Sequence, residues 1–154
     1  MTPEIVLRPA TRADADEIAR VMRASREMHD WMPVLHTPEE DRAFIAGHAL
    51  QHQSVTVAAA GEEIVGFIAV HGEWVEQLYL KPGWTGRGIG SHLLDHATLA
   101  MPVAKLHCFQ VNADARRFYE RHGFRAEAFG DGSGNEEGLP DVQYARYGAK
   151  RSIS

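Results

Sequence analysis

Apolar residues recur along this chain with two periods, and the switches between them mark its elements. Ala15, Ile18 and Met22, with Ser25 in line, share one face of a helix predicted over Arg12–His29. Thr11 is its N-cap, after Pro9-Ala10 breaks a short strand at Glu4–Arg8. Thr37, followed by Pro38 and two acids, opens a second helix reaching about Gln51. The irregular apolar stretch Trp31–His36 connects the two. Period two takes over in Ser54–Ala60 and Ile64–Val70, joined by Gly61-Glu62-Glu63 as a hairpin. A third strand, Trp74–Leu80, follows Gly72. Strict alternation there puts Trp74, Glu76, Leu78 and Leu80 on one face and Val75, Gln77 and Tyr79 on the other. Helical spacing returns with Ile89, Leu93, Leu94, Ala97 and Ala100. Lys105–Gln110 is a strand, and Asn112–His122 is a helix stopped by Gly123. Phe124–Phe129 and Val142–Tyr147 are the last strands. The acidic, glycine-rich loop Gly130–Pro140 between them is expected to be mobile.

Three strands in succession argue for antiparallel pairing, and the strand–helix–strand unit over Trp74–Gln110 argues for one parallel pair. The prediction is an α/β (α+β) fold, a mixed, mostly antiparallel twisted sheet of about seven strands with helices on both faces.

Composition narrows the functional classes. The 154 residues fit a single domain, 1–154, and 44% hydrophobic residues suffice for a packed core. A net charge of −5 without a basic block weighs against nucleic acid or an anionic membrane as partner. No apolar run approaches the roughly 20 residues of a membrane span, and the N-terminus lacks a signal-peptide profile. The one cysteine, Cys108, excludes an intrachain disulfide and suits a reducing compartment, so a cytoplasmic location is expected. Cys108 lies in a strand and reads as core rather than nucleophile, and no Ser/His/Asp triad is legible. His48 with His52, and His92 with His96, have zinc spacing. No His-Glu-x-x-His pattern or cysteine pair accompanies them, and no metal is expected.

The chemistry concentrates between Leu78 and Ser91, where an apolar strand runs through a glycine-rich turn into a helix. Glycines at 86, 88 and 90 bare the backbone, and the helix start turns free N–H groups and its positive dipole end toward them. Gly86 to Ser91 can therefore present successive donors to a pyrophosphate. A turn that merely needs positive φ and a close helix–strand contact would use the same glycines.

Thr85-Gly86-Arg87-Gly88-Ile89-Gly90 resembles the Arg/Gln-x-x-Gly-x-Gly/Ala segment of the GNAT superfamily of N-acetyltransferases, with Thr85 where that family has Arg or Gln. Independently, Asn112-Ala113-Asp114-Ala115-Arg116-Arg117-Phe118-Tyr119-Glu120-Arg121-His122-Gly123-Phe124 is similar to the family's Asn-x-x-Ala-x-x-Phe-Tyr-x-x-x-Gly-Phe block. The resemblance covers nearly the whole chain. It implies acetyl-CoA as co-substrate, with its diphosphate on Gly86, Arg87, Gly88, Ile89, Gly90 and Ser91. The pantetheine arm would pair with main-chain groups of Leu78, Tyr79 and Leu80 like an added strand. Tyr119 would protonate the departing thiolate, and Asn112 would contact the cofactor or the strand gap besides capping its helix. The implied base is a carboxylate on the strand before the turn, Glu76 first and Glu73 second, with His71 and His36 as alternatives.

The resulting expectation is acetyl transfer to a primary amine by direct attack in a ternary complex. A non-catalytic acyl-CoA-binding module stays open, favoured by Thr85 and opposed by Tyr119. A nucleotide-using enzyme is opposed by the absence of Gly-x-x-x-x-Gly-Lys-Ser/Thr. Arg116, Arg117 and Arg121 either meet the 3′-phosphate or are solvated. The acceptor side is expected from the first two helices, Trp31–His36 and the Gly130–Pro140 loop. Trp31, Met32 and Trp74 would form an apolar wall there, while Asp131, Glu136, Glu137 and Asp141 attract a cation or solvate the loop. The identity of the amine is not legible, and the resemblance leaves a homodimer open.

Overall fold

Seven strands form one sheet in a computed structural model that describes residues 4–148. They are β1 (Ile5–Pro9), β2 (Ser54–Ala60), β3 (Glu63–His71), β4 (Trp74–Leu80), β5 (Val103–Phe109), β6 (Arg125–Gly130) and β7 (Asp141–Tyr147), in the order β1-β2-β3-β4-β5-β7-β6. Every neighbouring pair is antiparallel except β4 and β5. The mixed sheet is the one expected from the element order. The first three residues, on which the N-terminal reading partly rests, and residues 149–154 lie outside the described residues.

A 3₁₀ turn, Arg12–Asp14, leads into α1 (Ala15–Glu27), where the sequence predicts one unbroken helix. The Asp14 carboxylate accepts from Thr11 N at 2.8 Å and from both Arg8 terminal nitrogens at 2.8 and 3.0 Å, so it caps the turn and ties it to β1. Thr37 and Glu40 close a capping box on α2 (Pro38–Phe44), with bonds of 3.1 and 2.9 Å. That helix passes through a π turn, Ile45–Ala49, containing the weak helix former Gly47, into α3 (Leu50–His52). Ile18, Val21 and Met22 of α1 and Ile45 pack with Val57, Ile64 and Phe67 on one face of the sheet.

On the other face, α4 (Ile89–Thr98) sets Ile89, Leu93 and Leu94 against Val65, Ile68, Leu106 and Tyr144. Each fully buried side chain of this size contributes about 1.5–3 kcal/mol. Ala100, predicted on the α4 stripe, lies exposed beyond its end. Thr98 ends the stripe instead, its hydroxyl donating to Leu94 O at 2.7 Å. Beyond β5, α5 (Ala113–Arg121) stops at Gly123, whose φ is 87°.

Two irregularities shape the middle of the sheet. Ala69 pairs with Gln77 but its neighbour Val70 pairs with Val75, so Glu76 is an extra residue in β4. This bulge overturns the strict alternation expected there. Val75 joins Leu78 and Leu80 in the α4-side core, whereas Tyr79 packs on the α1 side. The parallel pair β4/β5 holds a single bridge, Trp74 opposite Lys105, with Lys105 N donating to Glu73 O at 2.7 Å. From there the strands part.

Candidate active site

The gap between β4 and β5 is a cleft of about 180 Å³. Val75 to Tyr79 line one side, Leu106 to Phe109 the other, and Asn112, Ala115 and Tyr119 of the α5 segment close it. Asn112 caps α5 by accepting from Ala115 N at 3.2 Å. Tyr119 packs edge-on against Phe118 and Phe124, at centroid distances of 5.2 and 5.8 Å. Its hydroxyl makes no hydrogen bond among the described residues. Burial, with smaller contributions from Cys108 and Tyr79, pushes this phenol well above the ordinary tyrosine range, so it stays protonated at neutral pH. Cys108 belongs to the α4-side core, as its strand position predicts, and also lines the cleft; burial pushes its thiol up to about 11.

One helix away lies the glycine turn. Gly86 and Gly88 have φ of 74° and 81°, and a Cβ on either would meet nothing within 4 Å. Their backbone is therefore open on its outer side. Gly90 faces inward instead, where a Cβ would make ordinary van der Waals contact with Phe118 and Leu80 at 3.5 and 3.6 Å. Trp84 N donates to Lys81 O and His92 N to Gly88 O, both at 3.0 Å. Between them, no backbone N–H from Thr85 to Ser91 finds an acceptor among the described residues. That row of donors at a helix N-terminus suits an anion. Arg87, in the same turn, covers the Trp84 ring at 4.7 Å.

Across the sheet the cleft opens into a mouth of about 700 Å³. α1 supplies Met22 and Arg26, α2 supplies Glu40, Asp41 and Phe44, and the Gly130–Pro140 loop supplies Glu136 and Glu137. The loop expected to be mobile is tied at several points. Arg26 donates to Glu137 and His36 bonds Glu136, both at 2.9 Å. Asn135 braces the loop by donating to Leu139 O at 2.8 Å. The Glu136 bond raises the His36 pKa above the usual histidine value. Trp31 stacks on His29 at 4.6 Å and meets Phe109 edge-on at 5.8 Å, walling the cleft with Met32.

Among the candidate bases, Glu76 lines both cavities from the bulge. Glu73 lies at the β3–β4 turn, 3.8 Å from Lys105 Nζ, and His71 is exposed at the end of β3; neither lines the cleft or the larger cavity beside it. Leu78 and Tyr79 line the gap, and Leu80 packs beneath the turn. Arg116 turns away to donate to Tyr144 Oη at 3.0 Å, and Arg117 pairs with Asp114. Trp74 does not join the expected wall; it stacks on His107 at 4.9 Å. Sequence reasoning missed Arg26, Gln77, His107 and Phe109, which line both cavities. The one signal for His107 was alternation, which places it opposite to Leu106 and Cys108. No group of three or more His, Cys, Asp or Glu side chains that could hold a metal ion occurs among the described residues. No described helix is long and apolar enough to cross a membrane.

Residues 51–126, which carry β2 to the start of β6 and include the glycine turn and Tyr119, match the family model for the acetyltransferase (GNAT) domain. The peptidyl-lysine N-acetyltransferase YjaB of Salmonella typhimurium is 26% identical over 123 residues, covering 79% of this chain and 83% of that protein. A GCN5-related N-acetyltransferase from Rhodopseudomonas palustris superposes with a TM-score of 0.75 at 22% identity, over 96% of each chain. YncA of Salmonella typhimurium, solved with its cofactor acetyl-CoA, also gives 0.75, at 18% identity over 98% of each chain. The family match falls on the very strand, turn and helix that build the cleft, and the likeness of fold extends over nearly all of the chain. The chain belongs to the GNAT superfamily of acetyl-CoA-dependent N-acetyltransferases.

Proposed function

We propose that this cleft binds acetyl-CoA and transfers its acetyl group to a primary amine by direct attack in a ternary complex. One observation carries the reading: a buried phenol with no hydrogen-bond partner among the described residues stands in the gap of the sheet, and the turn that follows β4 has amides that find no acceptor among them. In this reading the diphosphate takes N–H groups of Gly86, Arg87, Gly88, Ile89, Gly90 and Ser91. The pantetheine arm fills the gap as a short strand against Leu78, Tyr79 and Leu80, with Asn112 beside it. The acetyl-CoA bound by yncA supports the choice of ligand. Glu76 takes a proton from the incoming ammonium. The amine nitrogen attacks the thioester carbonyl, the carbon–sulfur bond breaks, and Tyr119 gives its proton to the departing sulfur. The nitrogen loses its second proton to bulk water as the amide forms, and the proton held by Glu76 returns to Tyr119 through water, so each transfer releases one proton and restores both side chains.

The mouth supports a choice of acceptor class. It is lined by Glu40, Asp41, Glu76, Glu136 and Glu137, five carboxylates against Arg26 and His36. YjaB is named for peptidyl-lysine, and a lysine side chain on a peptide is the acceptor we propose. The test is thiol release from acetyl-CoA with lysine peptides, polyamines and amino acids, with mass spectrometry of the products. Acetylated lysine peptide is the expected result. Calorimetric CoA binding with no thiol released by any amine would leave a non-catalytic binding module instead.

A further inference from the structure

Ser91 belongs to the first turn of α4, yet its hydroxyl reaches toward α5. Ser91 Oγ and His122 Nε2 are 2.9 Å apart, and His122 Nδ1 is 3.4 Å from Asp95 Oδ1. His122 is the C-cap residue of α5, with its side chain 11% exposed and its ring against Phe118 at 4.7 Å. From β7, Arg146 donates to His122 O at 3.3 Å and to Thr98 Oγ1 at 2.9 Å. Asp95, His122 and Ser91 thus form a line of side chains that ends among the free amides of the glycine turn.

We propose that His122, oriented by Asp95, is a positioning residue for the cofactor diphosphate, acting through Ser91. The inference rests on the diphosphate reading given above. A neutral ring with its Nδ1–H toward Asp95 keeps a lone pair on Nε2, which takes the Ser91 proton. Only oxygen lone pairs of Ser91 then face the turn, where they oppose phosphate oxygens. A ring carrying both protons donates from Nε2 to Ser91 Oγ. The Ser91 proton is released toward the turn, and the hydroxyl joins the row of N–H donors. The Asp95 carboxylate and the C-terminal end of α5 complement the charged ring, while Arg146 opposes it. A ligand that prefers the protonated ring must raise proton uptake by the same free energy. Diphosphate binding therefore takes up a proton, and affinity falls as pH rises.

Isothermal titration with dephospho-CoA tests this, because that ligand lacks the 3′-phosphate monoester that itself titrates near neutrality. Titrations at about pH 6 and about pH 8 bracket the ordinary histidine value of about 6.5. Buffers of different ionisation enthalpy count the protons exchanged. Wild type is expected to bind about tenfold tighter at the lower pH, about 1.4 kcal/mol, with net proton uptake. His122→Gln, whose amide donates without titrating, should bind with flat pH dependence and no proton uptake from this site. His122→Phe keeps the ring packing but has no donor, and should bind about tenfold more weakly than wild type at the lower pH. Thermal melts check that each variant is folded. Equal proton uptake by wild type and His122→Gln, or a flat wild-type affinity, overturns the role of His122. Failure of wild type to bind at either pH would instead overturn the diphosphate reading.

Discussion

Replacing Tyr119 by phenylalanine removes a single oxygen, and the structure makes that deletion clean. The hydroxyl has no hydrogen-bond partner among the described residues, so nothing is orphaned when it goes. The ring keeps its contacts with Phe118, Phe124 and Tyr144, at centroid distances of 5.2, 5.8 and 6.4 Å. Stability should therefore change by no more than about 0.5 kcal/mol. The catalytic cost is larger. A positioned acid contributes about 10²–10⁴-fold. A thiol ionises near 8.5, so the thiolate leaves fairly well unaided and the lower end applies. We expect kcat to fall about 100-fold, or about 2.7 kcal/mol of barrier, with KM for acetyl-CoA within about twofold of wild type. Because burial holds the wild-type phenol protonated, Tyr119 should impose no loss of kcat up to about pH 10. The assay is thiol release at saturating acetyl-CoA and amine, beside a thermal melt. A variant with unchanged melting and wild-type kcat would remove Tyr119 from the chemistry and leave it as a packing residue.

Three further outcomes follow from the same geometry. Gly88→Ala forces a side chain into the left-handed region and into the open face of the turn, so it should cost about 1–2 kcal/mol of stability and at least about tenfold in CoA affinity by calorimetry. An unchanged affinity would place the phosphates elsewhere. Glu76→Gln should lower kcat about 100-fold near neutrality, with recovery at alkaline pH, where the amine is already deprotonated; a pH–rate profile equal to that of wild type would exclude Glu76 as the base. The Arg8 guanidinium holds the Asp14 carboxyl down at about 2. The folded value lies below the unfolded one of about 3.9, so the stabilisation is present above that value and is lost as pH falls toward 2. Arg8 is 40% exposed, and solvent screening leaves about 1 kcal/mol for the pair. Asp14→Asn should accordingly lower the melting temperature at pH 7 but not near pH 2.

Much of this was legible in the chain, for identifiable reasons. The helices and strands announce themselves through periodicity and through caps such as Thr37 and Gly123, and these are local effects. The β4 bulge was not legible. One residue inserted into a strand leaves no compositional mark, yet it reverses Val75 relative to Tyr79 and brings Glu76 to the cleft. The elements around the cleft's mouth were legible, but the contacts that join them were not. Arg26 meets Glu137 across 111 positions of sequence, and no spacing encodes such a meeting. The Asp95–His122–Ser91 line is similar, for α4 and α5 bring it together only after the sheet has formed. Tyr119 could be singled out only through its flanking motif, since a tyrosine on a helix is otherwise indistinguishable from packing.

The single bridge between β4 and β5 has a consequence for how this protein avoids its own kind. Past Trp74 and Lys105 the two strands leave main-chain donors and acceptors unmatched, which on a surface would template aggregation. Here that raw edge is recessed, screened by Trp31, Phe109 and Tyr119. In the function proposed above, the recess that takes an acyl carrier also keeps a neighbour's strand from pairing there.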